Sequence, residues 1–124
     1  MNRITILLGA SVVSVLIVTG VAPAFAGYGA LALDESTLKY GLSGNEVTQA
    51  KADEVALKEC SSDKCKIVFR TFPRQCGAIA TSDDDNVWGG AKRLQRAAAE
   101  LAALQNCRKR TKAQCKARNV ECNR

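Results

Sequence analysis

Six cysteines follow an N-terminal export signal in this 124-residue chain, and no other feature restricts its folding as much. Residues Met1–Ala26 have the three parts of a secretory leader: a short basic start with Arg3, an apolar run from Ile4 to Val18, and a small-residue cleavage site at Ala24-Phe25-Ala26. The apolar run is about 15 residues long, short of the roughly 20 needed to span a bilayer. The residue directly after the cleavage site is Gly27 rather than cysteine, which disfavours a lipid-modified product. The expectation is a secreted or periplasmic protein that begins near Gly27 and keeps no transmembrane anchor. In an oxidising compartment its thiols pair.

Residues 27–124 are enough for one domain, but for only a small core. Disulfides are the usual remedy, each stabilising by roughly 2–4 kcal/mol. The chain has no histidine, so nothing conventional is present to activate a catalytic cysteine. Close Cys-x-x-Cys knuckles are also missing, which disfavours structural zinc. No metal or cofactor is expected.

The mature region reads as two copies of one unit, about 28–72 and about 76–122. Gly29-Ala30-Leu31-Ala32 matches Gly77-Ala78-Ile79-Ala80, and Tyr40-Gly41 matches Trp88-Gly89. Ala56-Leu57 and Cys60 match Ala103-Leu104 and Cys107, while Cys65-Lys66 matches Cys115-Lys116. In each copy a short apolar strand (Tyr28 to Leu33, Gly77 to Thr81) leads through a polar turn to a second strand. That strand holds Tyr40 or Trp88 and is expected to end in glycines, which serve turns or close backbone contacts.

A helix follows in each copy. Val47 to Glu59 places Ala52, Val55, Ala56 and Cys60 on one stripe, with Ser43 or Asn45 as candidate caps. In the second copy Leu94, Ala97, Ala98, Leu101, Leu104 and Cys107 recur at three- and four-residue spacing. A third strand, Lys66 to Phe72, closes the first unit. Its counterpart, Lys116 to Cys122, is poorer in apolar residues and reads as an edge strand or an irregular tail. The fold class is α+β: strand-strand-helix-strand twice, with helices packed on an antiparallel or mixed sheet, an order that suits a sandwich less well.

Six cysteines allow fifteen complete pairings. Cys60 and Cys65 flank the turn between helix and strand in copy one, and Cys107 and Cys115 flank the equivalent turn. Cys76 and Cys122 remain, at the two ends of copy two. The expected bridges are therefore Cys60–Cys65, Cys107–Cys115 and Cys76–Cys122, with exchanged partners among Cys107, Cys115 and Cys122 as the alternative.

Charge separates the halves. From Gly27 to Asp85 there are 7 basic and 10 acidic residues; from Asn86 to Arg124 there are 10 basic and 2 acidic. Such asymmetry suits an anionic partner, whether a protein or an envelope component, as well as a plain solvated surface. Nucleic acid is disfavoured because no recognition motif is present. The candidate partner surface is Arg108, Lys109, Arg110 and Lys112, extended by Lys116 and Arg118. Trp88 is the candidate aromatic contact, although its alignment with Tyr40 favours equivalent packing against equivalent helices. Asp83-Asp84-Asp85-Asn86 lacks the alternating ligands of a calcium loop and reads as an acidic turn whose carboxylates can pair with the basic half. Neither Ser43 nor Ser82 stands in a nucleophile motif.

These residues resemble a bacterial secreted family of unknown function, domain family 4189. The marks are Tyr28-Gly29-Ala30, Tyr40-Gly41, the helix from Ala52 to Cys60 and Cys65-Lys66-Ile67-Val68. They recur as Cys76-Gly77-Ala78, Trp88-Gly89, Ala97 to Cys107 and Cys115-Lys116. The chain departs from that pattern at Ala117-Arg118-Asn119-Val120-Glu121, which is less apolar. The resemblance implies export and supplies no catalytic residues.

The sequence thus points to an exported noncatalytic binding protein, an effector, inhibitor or immunity-like protein using a basic C-terminal surface. The alternatives are a small cell-wall glycan hydrolase with paired carboxylates drawn from Glu35, Glu46, Asp53, Glu54, Glu59 and Glu100, or a purely structural envelope protein.

Overall fold

Tyr-Gly-Ala-Leu-Ala-Leu and Cys-Gly-Ala-Ile-Ala-Thr alternate small and larger side chains, and the fold uses both faces of each segment. The computed structural model describes Ser14 and residues 27–124. Apart from Ser14, the expected leader Met1–Ala26 lies outside the described residues. The elements are β1 (Tyr28–Asp34), β2 (Lys39–Glu46), α1 (Gln49–Cys60), β3 (Lys66–Thr71), β4 (Cys76–Ser82), β5 (Trp88–Arg93), α2 (Arg96–Arg108) and β6 (Cys115–Cys122). The fold is α+β, with two similar strand-strand-helix-strand units. Each unit closes its own antiparallel sheet, ordered β2-β1-β3 and β5-β4-β6. The strands therefore form two sheets rather than one shared sheet.

Ala30 and Ala32 of β1 face α1, where they meet Ala52, Ala56 and Cys60. Ala78, Ala80 and Ala91 meet Ala99, Ala102, Ala103 and Cys107 of α2 in the same way. The larger residues point the other way. Leu31, Leu33 and Leu42 meet Ile79 between the two sheets, with Tyr40, Val68, Phe69 and Trp88 packed around them. The layers run helix, sheet, sheet, helix. Full burial of Leu31, Leu33 and Ile79 contributes about 1.5–3 kcal/mol each. The aromatic pair Tyr40 and Trp88 packs in this inter-sheet layer, not against the helices as the repeat alignment suggests.

Gly41 and Gly89 explain how the helices sit so close. A Cβ on Gly41 would overlap the Ala56 carbonyl oxygen, and one on Gly89 would overlap the Cys107 amide nitrogen and the Ala103 carbonyl oxygen. Both have negative φ, so space rather than conformation demands glycine. The second strands consequently run through their glycines instead of ending there, to Glu46 and to Arg93.

This clearance also corrects the expected face of the second helix. Ala99, Ala102, Ala103 and Cys107 are buried, whereas Leu94 and Leu101 are 74% and 53% exposed, and Ala97 and Ala98 are exposed too. Of the expected stripe Cys107 is buried and Leu104 packs half-buried against that cluster, whereas Leu94, Ala97, Ala98 and Leu101 turn outward from the gap that Gly89 leaves for alanine. The first helix is capped by Thr48, whose hydroxyl accepts from the Lys51 amide at 3.1 Å. Neither expected cap performs that role. Ser43 lies in β2 and donates to the Ala52 carbonyl at 2.7 Å, and the Asn45 side chain accepts from the Arg124 amide at 2.8 Å.

The third strands keep the repeat to the level of a bulge. Pairing slips between Leu31 and Ala32 against β3, and between Ile79 and Ala80 against β6. The extra residues are Val68 and Arg118, at equivalent positions. β6 is a regular edge strand apart from that bulge, despite its polar sequence. Backbone pairing to β4 and a cysteine at each end hold it there. Disulfides join Cys60 to Cys65, Cys107 to Cys115, and Cys76 to Cys122. Cys76 and Cys122 are direct cross-strand partners in the β4–β6 register.

The bridges span 5, 8 and 46 residues. Loop-closure entropy then ranks their removal as paired serine variants at about 2, 2.5 and 4 kcal/mol respectively. Guanidinium unfolding should show Cys76→Ser/Cys122→Ser as the most destabilised of the three; equal losses would refute the ranking. Gly41→Ala and Gly89→Ala should each cost about 2 kcal/mol or more, because backbone must move. An exposed Ala97→Ser change should stay within about 0.5 kcal/mol in the same assay.

Candidate functional site

The β1–β2 and β4–β5 turns, both helix C-termini and two disulfides gather at one end of the molecule. Asp34 organises the first unit there. Its carboxylate accepts from the Ser36 amide at 3.0 Å and the Ser36 hydroxyl at 2.6 Å, and from the Ser62 hydroxyl at 2.8 Å. The β1–β2 turn is thereby tied to the turn bracketed by Cys60 and Cys65. These hydroxyl bonds, led by Ser36, hold the Asp34 carboxyl far below the usual carboxylate range. The units are joined at this end by Asn86, whose side-chain amide donates to the Ser36 carbonyl at 2.8 Å.

In the second unit the acidic turn meets basic side chains of β6. Asp83 accepts from Arg118 at 3.0 Å and lies 3.3 Å from the Lys116 ammonium. Arg118 also donates to the Thr81 hydroxyl at 2.7 Å. Hydrogen bonding to Lys116 is the main cause lowering the Asp83 carboxyl, and Arg118 adds to it. Asp85 accepts from the Thr111 hydroxyl. The acidic run is an intramolecular partner of the basic half. Among the described residues, no group of three or more His, Cys, Asp or Glu side chains is placed to hold a metal ion.

The sequence-named cations therefore divide by environment. Lys116 and Arg118 are engaged by Asp83. Arg110 lies over Trp88, its guanidinium carbon 5.6 Å from the ring centroid, and donates to the Trp88 carbonyl at 3.2 Å. Arg108, Lys109 and Lys112 are exposed, and among the described residues none has a carboxylate at ion-pair distance. Arg108 and Lys109 end α2, where the helix field favours cations. Trp88 is half-buried at the margin of the inter-sheet layer, with its edge strand outside it.

The carboxylates weighed for glycan hydrolysis are not assembled into a pair. Asp53 is held by Arg70 at 2.9 Å, and Glu54 by Lys51 at 3.6 Å. Glu100 borders a shallow groove with Arg96, Arg118 and Val120. Glu35 lines a different groove of about 560 Å³ with Asp34, Asp63, Lys64, Lys66 and Val68. A general acid needs a carboxyl kept protonated, and Asp34 is shifted the opposite way. Val68, the bulge residue of the first unit, lines that groove; in the second unit the equivalent Arg118 donates to Asp83.

Asn123 joins the two units. Its side chain accepts from the Asn45 amide at 2.9 Å and donates to the Thr71 hydroxyl and the Phe72 carbonyl, each at 2.9 Å. It ties the end of the second unit to the first. One asparagine near a terminus carries no sequence signal of that role.

The family model described as domain of unknown function (DUF4189) matches residues 28–122. The chain belongs to this family. Both units lie inside the matched span. No curated protein matches the chain. Among solved structures, the chain is similar to Rv1813c from Mycobacterium tuberculosis, determined by NMR, with 27% identity and a TM-score of 0.57. The similarity covers 99% of this chain and 100% of that one.

Depressed carboxylates link stability to pH. Asp34 and Asp83 bind protons less readily when folded than when unfolded, so each stabilises the fold above the ordinary carboxylate range, about pH 4, and that contribution is lost as acid protonates them. Asp34→Asn should lower the unfolding midpoint near neutrality, with the gap to wild type closing below about pH 4. A gap that stays constant down to about pH 2 would contradict this linkage.

Proposed function

We propose that this chain is an exported, noncatalytic binding protein that presents the end of α2 to an anionic partner, in the manner of an effector, inhibitor or immunity-like protein. The carrying observation is the contrast among its cations. Lys116, Arg118 and Arg110 have partners in the molecule, whereas among the described residues Arg108, Lys109 and Lys112 are exposed and have no carboxylate at ion-pair distance. Partnerless cations on a bridged scaffold lose little internal energy when they are recruited elsewhere, and their summed field steers an anion toward them.

Export is supported by the leader-like Met1–Ala26 and by three disulfides, which persist in oxidising compartments. No helix among the described residues is long and apolar enough to cross a membrane. The processed protein would begin near Gly27 and comprise one duplicated domain. A glycan hydrolase has less support, because hydrogen bonds from Ser36 and Ser62 hold the Asp34 carboxyl of the larger groove in its charged form. A purely structural envelope role would require no selective capture.

The test is capture from envelope extracts with Arg108→Glu, Lys109→Glu and Lys112→Glu combined. Retention should fall by about tenfold or more and weaken with added salt, as expected for exposed charge. Undiminished capture by the reversed protein would rule out this surface.

A further inference from the structure

The duplication supplies an internal control for the outer face of α2. At the first-unit positions equivalent to Leu94, Ala97, Ala98 and Leu101 stand Val47, Ala50, Lys51 and Glu54, and Lys51 pairs with Glu54 at 3.6 Å. The middle of that face is an ordinary solvated ion pair. In the second unit Leu94, just before α2, and Ala97, Ala98 and Leu101 within it are all exposed, and Ala98 and Leu101 stand where the first unit has the ion pair. Core packing does not require them, since the buried stripe is the separate set Ala99, Ala102, Ala103 and Cys107. The helix is apolar on two opposite faces, and only one is covered.

Charge frames the uncovered one. Lys92 and Arg93 precede the helix, and Arg108, Lys109 and Lys112 follow its end about 20 Å away along the axis. All five are exposed. The one acidic residue of the helix, Glu100, is turned aside into the groove beside Arg118 and Val120. An occupant of this face must accept leucines at its centre and be negative at both ends.

We propose that this occupant is an anionic phospholipid bilayer, bound peripherally with α2 lying along its surface. A second copy of the chain is the wrong partner, because two-fold pairing along the stripe sets cations against cations. A stable protein interface needs roughly 800 Å² per side, well beyond two leucines and two alanines on a convex helix. A bilayer has no such threshold. Each cation is attracted separately to the charged surface, and each leucine enters the headgroup boundary on its own. This inference rests on the anion-binding reading above and names the partner.

The exported, bridged protein should float with vesicles of phosphatidylglycerol and phosphatidylcholine and stay behind with phosphatidylcholine alone. Leu94→Asn with Leu101→Asn should weaken flotation about tenfold, and the triple charge reversal at least as much. Leu57→Asn, at the exposed leucine of α1, should leave it unchanged. Leu94 and Leu101 are both exposed, so an unaltered thermal midpoint in the double variant separates lost binding from lost folding. Failure to float with anionic vesicles overturns the lipid assignment, as does flotation indifferent to the two leucines. If flotation fails while envelope capture still depends on Arg108, Lys109 and Lys112, the lipid is wrong and the binding surface stands. If capture is also indifferent, both fall. Leucine-dependent retention of an acidic protein from detergent-solubilised extract, without flotation, gives the face to a protein and likewise overturns the bilayer.

Discussion

Backbone-to-backbone approach of helix and sheet at Gly41 and Gly89 governs the distribution of side chains throughout this molecule. With no Cβ at these points, α1 and α2 settle so low on their sheets that only alanine and cystine sulfur fit beneath them. Layers so thin provide little apolar area, which leaves two consequences. The leucine and isoleucine content must be buried elsewhere, between the sheets. Covalent closure must supplement a small core, and two of the three bridges sit where a helix hands over to its third strand.

The two units share a backbone plan but divide the physical tasks. Unit one supplies most of the inter-sheet layer: Leu31, Leu33, Leu42, Val68 and Phe69. Unit two makes room for it, since the Phe69 ring lies where a Cβ on Gly77 or Gly90 would stand, at 3.0 and 2.9 Å. Freed from that task, the second unit carries Arg118 and Asn119 where the first has Val68 and Phe69. The acidic turn at Asp83 neutralises part of this charge, and the cations beyond α2 retain theirs. Duplication has thus produced one unit that builds the interior and one that presents a surface.

Much of the architecture was legible from local pattern. Matching landmarks such as Tyr40-Gly41 with Trp88-Gly89 mark two units, because equivalent backbone positions meet equivalent steric limits. The cysteines at the helix-to-strand turns stand close enough in sequence that the turn itself brings them together. The outward face of α2 was not legible. Leu94, Ala97, Ala98 and Leu101 share the three- and four-residue spacing of Ala99, Ala102 and Ala103 and are bulkier, and nothing local reveals which of the two sets the available gap admits. Local sequence makes the glycines look like strand ends for the same reason: the atom that demands them belongs to a helix some fifteen residues further along the chain. Among the candidate cations, charge alone did not separate Arg118 and Lys116 from Arg108 and Lys109.

By itself, then, the order of residues determined the α+β class, the twofold repetition and the oxidised, bridged character, since each follows from spacing along the chain. Tertiary structure alone decided that the strands form two facing sheets, that alanine lies under the helices with leucine outside, and which cations keep a free charge. Those outcomes depend on clearances and distances between segments remote in sequence, and no periodicity within one segment encodes the space left by another.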